Sequence, residues 1–149
     1  MSDLKERLAE QDREAVIRDT VVLIDKEVAS KSGVTGLALK GGYKMVKKLR
    51  GGRMIEEAVD YLLDDFTDAL NPLYQDYVAD GSANGFDTFL SGRSPEAADA
   101  LLSITDAKLQ RAENRVIIAT YEKLRGQAKK HVVDALPAVG RLIDQYAPR

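Results

Sequence analysis

Asp64, Asp65 and Asp68 spell DDFTD. Carboxylates at positions i, i+1 and i+4 of a helix can converge on a hard cation such as magnesium and, through it, on a diphosphate. Such a site needs a second acidic cluster facing the first across a cavity, and the chain offers none. Asp60, Asp64 and Asp68, with Glu56 and Glu57, fall opposite the apolar arc of their own helix, which makes them a solvated acidic face. A second run, GLALKGGY from Gly36, has two glycines at phosphate-loop spacing, but Gly42 and Tyr43 stand where lysine and a hydroxyl residue are required. What survives is the free amides of a helix start after Ser32, which could hold an anion, with capping and packing as the plainer reading. His131 is the single histidine, follows Lys129 and Lys130, and has no serine or second-histidine motif to work with. It therefore reads as structural or exposed. With no cysteine, thiolate nucleophiles and cysteine zinc sites are excluded. No catalytic residue, metal ligand or cofactor is assigned, and an enzyme is not expected.

The stronger signal is charge segregation. Residues 31–53 hold seven Lys/Arg and no Asp/Glu, whereas 54–106 hold one and twelve, within a net charge of −2. Lys40, Lys44, Lys47, Lys48, Arg50 and Arg53 are the candidate basic face, and Glu56, Asp60, Asp64 and Asp68 the acidic one. Like charges at i, i+4 disfavour an isolated helix, so the acidic column calls for relief. The neighbouring basic helix is the nearest source, through edge pairs such as Lys48 with Glu57. Two antiparallel helices sharing a core would still turn most of both charged faces outward. Self-association or two different partners would satisfy them.

The segment from Val34 to Leu49 places Val34, Leu37, Ala38, Gly41, Gly42, Met45, Val46 and Leu49 on one arc, read as the core face. Gly41 and Gly42 each cost about 1 kcal/mol against alanine in a helix, and close approach of another helix would offset that. Tyr43 lies among the lysines, beneath their stems. Gly51 and Gly52 end this helix. Leu4 and Leu8 mark a short first helix, and Val16, Ile17, Val21, Ile24 and Val28 a longer one from Asp12, stopping near Gly33. The cleanest amphipathic pattern runs from Met54 to Leu70, after which Asn71 and Pro72 restart the chain. GSANG (81–85) breaks it, Phe86, Phe89 and Leu90 dock one turn, and Ser94-Pro95 opens another helix. Two or three helices around 116–124, 127–136 and 137–146 follow, with breaks or kinks at Gly126 and Pro137.

No sustained alternation of period two appears, so the fold class is all-α: one domain over 1–149, a compact bundle of about six to eight uneven helices. Neither a signal peptide nor a membrane span is evident, and a cytoplasmic protein is expected. The runs DKEVASKSGVTGLALKGGYKMVKKLRGG, ADALLSITDAK and ALPAVGRLI resemble a family of small all-helical bacterial proteins catalogued only as a domain of unknown function. That resemblance implies a single helical domain and carries over no site residues. The function expected is a protein-protein interaction or scaffold module. Binding of nucleic acid or an anionic membrane through the basic helix is the alternative, with Lys123, Arg125, Lys129 and Lys130 as further cations. A small-ligand carrier or enzyme is a second alternative, because a cavity between helices leaves little trace in sequence.

Overall fold

The computed structural model describes residues 3–81 and 83–149; Met1, Ser2 and, within the GSANG loop expected at 81–85, Ser82 lie outside the described residues. Among the described residues there are eight helices and no strand: α1 (Leu4–Ala9), α2 (Arg13–Ala29), α3 (Gly33–Lys47), α4 (Leu49–Gly52), α5 (Met54–Asp80), α6 (Phe86–Gly92), α7 (Ser94–Leu109) and α8 (Arg115–Tyr146). Side chains that accept free backbone amides start three of them. Asp3 takes the Glu6 amide at 2.7 Å, Asp12 those of Glu14 and Ala15, and Asn114 those of Val116 and Ile117.

The long helices α5 and α8 form the frame. Their facing residues Leu70, Leu73, Tyr74, Leu136 and Ile143 are buried together with Leu4 and Leu8 of α1 and Phe86 and Leu90 of α6. Tyr74 and Phe86 meet edge to face at 5.6 Å, and Tyr77 sits 4.9 Å from Phe86. The crossing of α6 over α8 depends on Gly140. A Cβ there would lie 2.5 Å from the backbone nitrogen and Cα of Asp87, closer than atoms can stand. A second, smaller cluster joins Val21 of α2 to Ile55 and Val59 of α5 and takes in Tyr43 and Val46 of α3.

Three expected breaks are absent. α5 passes through Asn71 and Pro72, and α8 through Gly126 and Pro137. Asn71 does not cap a new helix; its side-chain oxygen accepts the Leu4 amide at 2.9 Å and a Gln75 amide hydrogen at 3.1 Å. Pro72 faces outward, so the intrahelical bond it forfeits is one that water can replace. Around Pro137, burial of Leu136, Gly140 and Ile143 against α6 holds the helix together across the missing donor. Gly33 begins α3, with φ of 75°, where the sequence placed the end of α2.

The roll of α3 also differs from expectation. Val34, Leu37 and Met45 of the assigned core face are 85%, 71% and 58% exposed. The side turned inward carries Gly36, Leu39, Tyr43 and Val46. The cause is polar. The Tyr43 hydroxyl donates to Asp25 Oδ1 at 2.5 Å, and Lys47 Nζ reaches the same oxygen at 2.9 Å, pulling that edge of α3 onto α2.

Candidate functional site

Between α2, α5, α7 and α8 the bundle leaves a cavity of about 360 Å³, with Leu8 of α1 and Leu39 of α3 completing its wall. That volume falls within the roughly 300–1,000 Å³ of small-molecule sites. Its surface is almost wholly carbon, from residues such as Leu23, Ile24, Phe66, Leu101, Val132 and Leu142. These are the apolar stripes of four amphipathic helices that splay too far apart to close on one another.

Few polar groups reach this space, and nearly all are engaged elsewhere. Thr20 donates to the Val16 carbonyl, Thr67 to that of Asp64 and Thr105 to that of Leu102. Tyr146 donates to Asp19 on α2. His131 is different: both ring nitrogens are shut away from solvent and neither has a hydrogen-bond partner among the described residues. Burial is the main force holding its pKa below that of free histidine. The charges of Lys31 and Lys130 act in the same direction, and Asp134 opposes them. The ring is therefore neutral at pH 7, with one N–H and one lone pair unspent. Beside it Lys31, its side chain only 11% exposed, reaches Asp134 at 3.3 Å and Glu27 at 3.9 Å. One end of an otherwise apolar chamber is thus polar.

The sequence placed no site here. Its only signal was a histidine among valines on a helix face, which reads equally well as an exposed residue.

The residues the sequence did single out lie elsewhere. Lys44, Lys48 and Arg53 are exposed and Lys40 half-buried, and none has an ion-pair partner among the described residues. Lys47 is held by Asp25, and Arg50 by Glu57 at 2.7 Å. Glu57 thus has a partner from the basic segment, but Arg50 supplies it and not Lys48. The acidic column is relieved from another direction. Arg13 bridges Asp60 and Asp64 at 2.7 and 3.2 Å, and Lys5 approaches Asp68 at 3.6 Å. Asp65, within DDFTD, goes to Lys108 at 2.9 Å. Glu56 keeps one buried oxygen without a partner. No group of three or more acidic or histidine residues among the described residues is placed to hold a metal.

Arg125 makes a two-pronged contact with Asp106, and Lys129 pairs with Asp99, so neither is a free cation. Of the two glycines, Gly42 makes the close contact: a Cβ there would come within 2.8 Å of Thr120 on α8, whereas Gly41 has nothing within 4 Å. The packing role expected of Gly41 is therefore missing, because the roll of α3 points that position at solvent. None of the helices described is long and apolar enough to cross a membrane.

A family model described as a family of unknown function matches residues 4–147. No curated protein and no solved structure matches the chain.

Proposed function

The chain belongs to that family, DUF6918, and from its geometry we propose that it binds a small amphiphile, an apolar body with one oxygen-bearing head, within the helical bundle. The observation that carries the reading is the pairing of a carbon-lined cavity of about 360 Å³ with the two unpartnered nitrogens of His131 at its wall. Unsatisfied buried polar atoms cost roughly 1–3 kcal/mol each, and a ligand hydroxyl or protonated carboxyl would recover that cost while its chain covers the apolar wall. A binding role fits better than a catalytic one, since the hydroxyls lining the cavity are all donated to protein acceptors and none faces His131 as a nucleophile's partner. Interaction through an exposed acidic face has less support, because Arg13 and Lys5 already engage three of its four carboxylates.

Titration calorimetry with dodecanol and with lauric acid tests the reading. Saturable binding of either is expected, and Ala135→Phe, which fills the cavity from the rigid wall of α8, should abolish it while the helical content remains. Binding unaffected by Ala135→Phe, or no binding of either compound, would remove the cavity from consideration.

A further inference from the structure

The outward face of α3 combines three features found nowhere else on the described surface. Val34, Leu37 and Met45 are 85%, 71% and 58% exposed, and among the described residues no other helix carries more than one large apolar side chain this open. Lys44 and Lys48 lie on the same arc, Lys40 at its edge, and Arg53 just beyond the helix, all without an acidic partner among the described residues. The segment from residue 31 to residue 53 contains no Asp or Glu that could neutralise them.

We propose that this face docks on an anionic lipid bilayer, with the three apolar side chains entering the headgroup boundary and the lysines meeting lipid phosphates. Charge complementarity selects the occupant. A nucleic acid would satisfy Lys44 and Lys48 but would gain nothing from Val34, Leu37 and Met45, which duplex phosphates cannot cover. A bilayer surface rewards both kinds of side chain at the same depth. Gly41, with open space where its side chain would be, lies within this arc and lowers the barrier to close approach. Leu39, on the opposite side of the same helix, lines the cavity, so the docked helix would stand between the bilayer and the amphiphile site. The surface reading goes beyond the ligand reading and does not require it.

Vesicle co-sedimentation provides the test, using the full chain with phosphatidylcholine vesicles and with vesicles containing phosphatidylglycerol. Binding to the anionic vesicles alone is expected. Lys44→Glu with Lys48→Glu should weaken it by at least about fivefold per lysine changed. Val34→Ser with Leu37→Ser should weaken it at low salt as well, because that pair removes the apolar share. All four positions are exposed, so thermal melts of both variants should overlay the parent.

Absence of binding to anionic vesicles would overturn the proposal. So would equal loss to duplex DNA competitor combined with indifference to Val34→Ser and Leu37→Ser, which would indicate a general polyanion surface. A concentration-dependent dimer dispersed by the same serine pair would assign the face to a second copy of the chain, and that result also overturns it. Calorimetry with dodecanol reads the cavity separately, so failure of one reading leaves the other standing.

Discussion

Tyr43 and Asp25 are joined by a hydroxyl-to-carboxylate bond of 2.5 Å, and that one bond sets which side of α3 faces the protein. The bond, with Lys47 as a second donor, holds the Asp25 carboxyl below the usual carboxylate range, and the phenol of Tyr43 is in turn pushed up by burial and by Asp25. Tyr43→Phe keeps the ring in its apolar cluster and removes only the hydroxyl. A loss of about 1–2 kcal/mol is expected from urea denaturation, the range of a hydrogen bond to a charged group in a half-buried site. The Asp25 contribution should fade as pH falls through its lowered pKa.

The paired glycines of α3 give opposite expectations. Gly42→Leu drives a side chain into Thr120 and Leu124 of α8 and should cost about 1–3 kcal/mol by overpacking. Gly41→Ala places a methyl in open space and removes backbone freedom from the unfolded chain, so it should stabilise by up to about 1 kcal/mol. Chemical denaturation of the two variants side by side checks the roll of α3 directly.

Gly140→Ala is expected to be the most damaging single methyl in the molecule. The atoms it would strike are backbone atoms of Phe86 and Asp87, which cannot rotate aside. α6 would have to lift from α8, opening the Tyr74–Tyr77–Phe86 cluster. A loss of about 3 kcal/mol or more should appear in thermal or urea unfolding.

His131 supplies a pH dependence of definite sign. Its folded-state pKa lies below that of free histidine, so the unfolded chain takes up the proton first. Stability contributed by the neutral ring is complete above about pH 6.5 and declines as pH falls beneath that value. His131→Leu removes the titration and the two unpartnered nitrogens, so melts at about pH 5 and pH 7.5 should converge in the variant relative to the parent.

Arg13→Ala tests how the acidic column is managed. Its partners Asp60 and Asp64 are more than half exposed, so the loss should stay below about 1 kcal/mol and shrink further as salt is raised.

The helical class and most helix starts were legible in the sequence because they depend on local chemistry: apolar spacing in α2 and α5, and Asp12 and Gly81 at chain reversals. The breaks at Pro72 and Pro137 were misread because tertiary burial on either side outweighs one missing donor. The roll of α3 was hidden for a related reason. Its periodicity admits two faces more than a third of a turn apart, and the choice falls to Asp25, eighteen residues from Tyr43. Gly140 gave no sign of its role, since the segment it accommodates, at Phe86 and Asp87, is more than fifty residues upstream in the chain. The cavity was not legible at all: the stripe that fills a core and the stripe that lines a chamber have the same spacing, and only the separation of the helices distinguishes them.

Both ends of α3 are swivels. Gly33 at its start has φ of 75°, and Arg50, Gly51 and Gly52 after its end have φ of 57°, 65° and 87°. Between these points the helix is held by the Asp25 carboxylate, by the Gly42 contact with α8 and by Tyr43 and Val46 in the smaller apolar cluster, while the aromatic core lies against other helices. Its detachment therefore opens the smaller apolar cluster on α2 and α5 but leaves the aromatic core of α1, α5, α6 and α8 closed. In native-state hydrogen exchange, the amides of α3 should open as a single subglobal unit at a fraction of the free energy that protects α5 and α8.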